Sequence, residues 1–179
     1  MLMHVKAKTM AFSGLMLALT ILFMILGSVI ETSTLFLLAA ASFFVGMIVR
    51  EFGLKIGAAF YIAGVVLGFI VAPNKFYVFT FLAMGLYIWG REAVWKWILT
   101  HVKEENSRKV FWIFKYVIFN IVYIPIILIF KDVLFSSSIS SVFLLVILLV
   151  GQVGLLIYDK AYDYVQVHIW GKMRGKIIS

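Results

Sequence analysis

Apolar residues along the chain fall into six long runs that short polar or charged segments separate. The runs occupy residues 10–30, 34–49, 54–72, 76–98, 110–130 and 139–158. A helix needs about 20 such residues to cross roughly 30 Å of hydrocarbon, and only the second run is clearly shorter. The pattern predicts an all-α, polytopic integral membrane protein whose six transmembrane helices form a single domain, residues 1–179.

Composition identifies the solvent of these helices. The chain is 64% hydrophobic and only 13% charged, with a mean hydropathy of +1.10. An ordinary soluble domain is about half apolar and about a quarter charged. One core of this size cannot cover so much apolar surface, so most of the chain must face lipid. The first run is too long for a signal-peptide core and is read as a retained helix.

The positions of the basic residues predict an orientation. A cytoplasmic N-terminus leaves only Lys75 and Lys131 outside, so 14 of the 16 basic residues (16 − 2) lie inside. This agrees with the positive-inside rule and predicts that both termini are cytoplasmic, in a bacterial cell membrane. The net charge of +8 is thereby explained without a nucleic-acid partner. The basic tail, residues 159–179, either continues the last helix or lies along the inner surface of the bilayer, with Ile169 and Trp170 as anchors.

Small residues recur at helical spacing in two of the runs. In lipid, such residues allow helix backbones to approach closely. We expect the third-helix glycines to pack inside the protein, whereas the stripe on the first helix either packs inside or docks a partner protein. The third helix carries Gly53, Gly57, Gly64 and Gly68, and the first carries Ala7, Ala11, Gly14 and Ala18.

The stripe of small residues on the first helix lies in the stretch KAKTMAFSGLMLAL. With six helices, two inner termini and 179 residues, the chain resembles the substrate-binding S components of energy-coupling factor (ECF) vitamin transporters. The resemblance implies that the first-helix face docks on a membrane coupling protein, which two cytoplasmic ATPases drive. It also implies a pocket for a small, vitamin-like solute in the outer halves of the last three helices.

Few polar residues are available to such a pocket. Lys75 lies in the tight outer turn Pro73-Asn74-Lys75, where it either meets lipid headgroups or captures a carboxylate or phosphate beside a helix N-terminus. Asn120 is costly in hydrocarbon without a partner, so we expect it to face another helix. The predicted substrate-binding residues are Glu31, Asn74, Lys75, Tyr77, Thr80, Asn120 and Tyr123.

Signs of an enzyme are weak. The chain contains no cysteine, and its three histidines are isolated in sequence. Asp159 and Asp163 share a helical face and could hold a divalent ion, as a lipid phosphotransferase requires. Lys160 lies beside the first, however, and no third acid is near, so we interpret the pair as a solvated helix surface. We predict no catalytic residue, metal or cofactor.

The source of energy for transport also follows from the polar residues. No Asp, Glu or His lies inside a run away from its ends, and Gln152 is a single polar residue in the sixth. A proton-driven carrier would need such groups, so a subunit that a partner energises is favoured. The alternatives are a membrane scaffold or assembly protein that binds partner helices without a solute, and thirdly a lipid-modifying enzyme.

Overall fold

The computed structural model describes the backbone of residues 2–134 and 140–177. Side chains are described except at residues 2–6, 8, 130–134, 141 and 176–177, so Lys131 lies outside the described side chains. The described elements are all helices, which confirms the all-α prediction.

Six long helices follow one another along the chain. They are α1 (Leu2–Val29), α2 (Thr34–Phe52), α3 (Leu54–Val71), α4 (Lys75–His101), α5 (Glu104–Leu134) and α6 (Ser141–Tyr164). A short 3₁₀ turn, Glu31–Ser33, precedes α2. After α6, a π-helical segment, Val165–Trp170, leads into α7, Gly171–Ile177.

Five stretches in the described residues are long and apolar enough to cross a membrane. They are Thr9–Val29, Glu31–Phe52, Leu54–Val71, Glu104–Ile129 and Val142–Gly175. The second reaches 22 residues because both ends extend the short run predicted from sequence. The protein is therefore polytopic. Helix α4 has 27 residues, about 40 Å, but contains charged residues in its second half, and its crossing stays a prediction.

The last helix continues into the tail. The helical stretch Val142–Gly175 is 34 residues long, about 50 Å, which exceeds the thickness of a bilayer core. This confirms the first of the two predicted tail arrangements. The prediction that Trp170 anchors the tail in the membrane is wrong, because its side chain is buried. Ile169, the other predicted anchor, is exposed.

The chain divides into two compact units, unit 1 with residues 1–111 and unit 2 with residues 112–179. In unit 1, α2 packs against α1, α3 and α4. Helix α2 can pack against three helices because small and branched side chains cover several of its sides. Its fully buried residues include Leu38, Ala41, Val45, Ile48 and Val49. Unit 2 contains most of α5 together with α6, the π-helical segment and α7.

The glycines of α3 bring it close to its neighbours. A Cβ on Gly57 would collide with Val49 of α2, and a Cβ on Gly68 would collide with Met24 of α1. Gly64 faces Phe81 of α4, 3.3 Å from where its Cβ would lie. These contacts confirm the predicted inner packing for Gly57, Gly64 and Gly68, whereas a Cβ on Gly53 would meet no atom within 4 Å.

Helix α4 secures the sharp corner between α2 and α3. Gly53 turns this corner with a φ of +92°, a conformation that favours glycine. The Trp89 indole donates a hydrogen bond to the Leu54 carbonyl (3.2 Å), and Lys96 donates to the Val49 carbonyl (3.4 Å). Arg50 forms an ion pair with Glu92 of α4 at 2.7 Å. The ends of α2 and α3 therefore both bond to one helix.

Replacing Gly57 with alanine tests the close approach of α2 and α3. The added methyl group collides with Val49, so we expect the unfolding free energy to fall by about 1–3 kcal/mol. Gly154→Ala is the matched control, because its Cβ meets no atom within 4 Å. Thermal unfolding of both variants in detergent measures the difference. Equal midpoints would contradict the packing described.

Candidate functional site

Polar side chains join α5 to α6 within unit 2. We call this set the polar seam, and it consists of Lys115, Asn120 and Tyr123 on α5 with Gln152 and Asp159 on α6. Lys115 pairs with Asp159, and Asn120 further along α5 pairs with the earlier Gln152, which is the order expected of antiparallel neighbours. The two described candidate site residues of unit 2, Asn120 and Tyr123, both belong to it.

One end of the seam is a buried ion pair. Lys115 Nζ lies 2.7 Å from an Asp159 carboxylate oxygen, and their side chains are 4% and 2% exposed. The ammonium also lies 4.5 Å from the centre of the Trp112 ring, a favourable cation–π position. Each charge would cost several kcal/mol to bury alone, and the partner offsets that cost. The prediction that Asp159 lies on a solvated surface is therefore wrong.

The middle of the seam is a reciprocal amide pair. Asn120 donates to Gln152 Oε1 at 3.2 Å, and Gln152 donates to Asn120 Oδ1 at 2.8 Å. Asn120 also donates to the Tyr116 carbonyl at 2.9 Å. This confirms that Asn120 faces another helix. Gln152, predicted to be a single polar residue, has a partner because an unpaired amide is costly in hydrocarbon.

Tyr123 forms the other end of the seam. Its hydroxyl donates to the Ile147 carbonyl at 2.8 Å. Its ring occupies the space where a Cβ on Gly151 would lie. Gly151 thus leaves room for the Tyr123 ring beside α6. The sequence does not reveal this role, because no helical stripe of small residues marks Gly151.

The predicted outer turn is built from two helix caps. The Asn74 side chain accepts a hydrogen bond from the Phe76 amide (3.0 Å) and begins α4. Lys75 donates to the carbonyls of Phe69 (2.5 Å) and Ala72 (2.9 Å) at the end of α3, where a positive charge is favoured by the helix dipole. Both residues therefore have structural roles in the turn.

The remaining candidates of unit 1 have local surroundings. The Thr80 hydroxyl donates to the Phe76 carbonyl of its own helix at 3.2 Å. Glu31 is exposed in the 3₁₀ turn, and its carbonyl accepts from the Thr34 hydroxyl at 3.0 Å. Tyr77 is half-buried in the first turn of α4. Their role in binding a solute stays a prediction.

Helix α1 presents its small residues outward. The residues of this stripe are all exposed, and a Cβ on Gly14 would meet no atom within 4 Å. The opposite face is buried through Phe12, Met16, Thr20 and Met24. The open stripe consists of Ala7, Ala11, Gly14 and Ala18. It contrasts with the glycines of α3, which lie against neighbouring helices.

No third acidic, histidine or cysteine side chain joins the acidic pair of α6 in the described part of the chain. No group of three or more His, Cys, Asp or Glu side chains comes together there. Asp159 is bound to Lys115, whereas Asp163 is half-buried.

Known proteins add no assignment to this geometry. No protein-family model, curated protein or solved structure matches the chain.

The amide pair can be tested by removing one partner and then both. Asn120→Leu leaves the Gln152 amide without its partner, so we expect a loss of about 1 kcal/mol of unfolding free energy. Replacing both residues with leucine should recover most of the loss, since no amide is then left unpaired. Thermal unfolding in detergent provides the measurement, with Thr80→Val, at a hydroxyl bonded to its own helix, as control. A double variant that is no more stable than Asn120→Leu would contradict the pairing.

Proposed function

We propose that this protein is the substrate-binding membrane subunit of an ATP-driven uptake transporter of the ECF type. In this role it captures a small, vitamin-like solute at the outer face of a bacterial cell membrane. It adds no chemistry of its own and depends on a membrane coupling protein with cytoplasmic ATPases. The observation that carries the proposal is the open small-residue stripe of α1.

This stripe is best explained by a partner helix. Large side chains cover a helix well against lipid, whereas small ones leave the backbone accessible to another helix. The chain uses the second property inside unit 1, where Gly57 and Gly68 of α3 admit neighbouring side chains. On α1 the same kind of surface at Gly14 is exposed. We infer that a coupling protein covers it.

The polar seam is the favoured place for contacts with a solute. Several polar side chains inside unit 1 bond to carbonyls of their own helices, as Thr20 does to Met16 and Ser42 to Ala39. In the seam, Asn120 and Gln152 also bond to each other across two helices. Such bonds can be exchanged for bonds to a solute without disturbing a helix, and this supports Asn120 and Tyr123 as contacts.

Lys75 is proposed to assist at the outer rim. Its ammonium has three donors, and two of them bind the Phe69 and Ala72 carbonyls. The third donor remains for an anionic group of the solute. In this arrangement the hydrogen bonds to the Phe69 and Ala72 carbonyls hold the Lys75 ammonium in position while it binds the ligand.

The position of the α1 stripe supports a subunit that partners energise. With the cytoplasmic termini expected from the basic residues, the α1 stripe starts at the inner edge of the membrane. This is the side on which the ATPases of such a transporter work.

A membrane scaffold or assembly protein is the second candidate. The observation in its favour is that the Asn120–Gln152 pair is already satisfied without a solute. Both functions need a partner at α1, and only the first needs a ligand and ATPases. They differ in what accompanies the purified protein.

Purification from native membranes in mild detergent, followed by mass spectrometry, tests the proposal. We expect a membrane coupling protein, an ATPase pair and a small molecule that is released on denaturation. Gly14→Leu should lower recovery of the coupling protein and ATPases by about tenfold, because the side chain blocks close helix approach.

Gly154→Leu is the matched control, since Gly154 is also exposed and its Cβ also meets open space. It should retain both partners. Recovery of membrane partners without ATPases or a small molecule would support the scaffold instead. Equal recovery with both variants would contradict docking at α1.

A further inference from the structure

We propose that an exposed column of side chains on the continuation of α6 binds the phosphate headgroups of anionic phospholipids. The column consists of Lys160, Tyr164, His168 and Lys172, and we call it the headgroup column. Its members follow one another at intervals of four residues, so they lie along one side of a helix. Lipid binding of this kind needs neither a solute nor a coupling protein, so it is separate from the proposed transport function.

The headgroup column lies on the open side of this helix. A different side is buried through Asp159, Tyr162, Gln166 and Trp170, which also recur at intervals of three or four residues. The members of the column, in contrast, are all exposed. The buried side therefore stabilises the protein, and the column is accessible to a ligand.

Position along the helix places the start of the column at the membrane surface. The stretch that begins at Val142 can cross a membrane, and about 20 helical residues span roughly 30 Å of hydrocarbon. The crossing therefore ends near Lys160. The headgroup layer adds about 5–7 Å, and the backbone of Tyr164 lies about 6 Å further along, at a level where tyrosine is enriched. Lys172 lies beyond, and a long lysine side chain near a helix end can reach back to headgroups.

The column carries positive charge that the protein does not neutralise. Neither Lys160 nor Lys172 is paired with a carboxylate among the described side chains. The nearby acids have other contacts, since Asp159 binds Lys115 at 2.7 Å and Asp163 is half-buried with a contact of its own. Basic residues next to a membrane attract anionic lipids. Charge complementarity therefore favours lipids with a net negative headgroup over zwitterionic ones.

Two stacked rings add hydrogen-bond donors between the lysines. The ring centroids of Tyr164 and His168 are 4.7 Å apart, and the ring planes differ by 19°. The stack holds both rings on the exposed side of the helix. There the tyrosine hydroxyl and an imidazole N–H, which is present in either neutral tautomer, can donate to phosphate oxygens. The column thus offers directed donors as well as charge.

Lipid retention by the full chain tests the headgroup column. The protein is purified in a neutral detergent and exchanged into mixed micelles with equal amounts of phosphatidylglycerol and phosphatidylcholine, and bound lipids are counted by native mass spectrometry. We expect phosphatidylglycerol to be retained in preference to phosphatidylcholine. Lys160→Gln with Lys172→Gln should lower this preference by about fivefold for each lysine removed, because each cation adds attraction for anionic lipid.

Two control variants separate a site from the overall charge of the protein. Lys103→Gln with Arg108→Gln removes the same charge from exposed residues beside the glutamates that begin α5, and it should keep the preference. Lys160→Arg with Lys172→Arg keeps the charge of the column and should also keep the preference. Each variant replaces exposed side chains, so the fold should not be affected.

A photoactivatable phosphatidylglycerol locates the contact, and its cross-links should fall within residues 160–172. Cross-links only elsewhere would overturn the proposal. Equal losses in the column variant and the Lys103/Arg108 variant would do the same, since retention would then depend on net charge alone. Equal retention of the two lipids also excludes the proposed preference. Displacement of phosphatidylglycerol by inorganic phosphate would identify a site for a soluble anion and reject the lipid.

Discussion

Hydrogen bonding inside hydrocarbon is the constraint on which the rest of this structure depends. Lipid offers polar groups no partner, so each must find one within the protein. The helices satisfy the backbone, but side chains need a separate solution. In unit 1, Thr20 and Ser42 bond to their own helices. In unit 2, Asn120 and Gln152 bond between helices, which makes their contact part of the tertiary structure.

Glycine serves two purposes in this chain. At Gly57 and Gly68 it admits side chains of neighbouring helices, and at Gly151 it admits the ring of Tyr123. At Gly14 it leaves a helix surface open. Buried glycines strengthen a fold by close contact, whereas an open small-residue surface is suited to a contact that forms with another protein. This difference links the packing of the helices to the proposed docking.

The ion pair between Lys115 and Asp159 changes the interpretation of the acidic residues. Asp159 was predicted to be solvated because Lys160 lies beside it and no third acid is near in sequence. Its burial requires a cation at the same level of another helix, and Lys115 provides it at 2.7 Å. The same pairing removes Asp159 from the two-carboxylate surface that a lipid-modifying enzyme would need.

The sequence by itself determined the helices, because the length and apolarity of a run are local properties that decide whether it forms a helix in lipid. Pro73 also marks one of the connections directly. The partner of Asn120 was predictable only as some other helix, whereas its identity as Gln152 was decided by tertiary structure. The tertiary structure also decided the outward direction of the Gly14 surface and the burial of Trp170. A side chain's neighbours depend on which distant segments pack beside it, and a pattern along one helix does not contain that information.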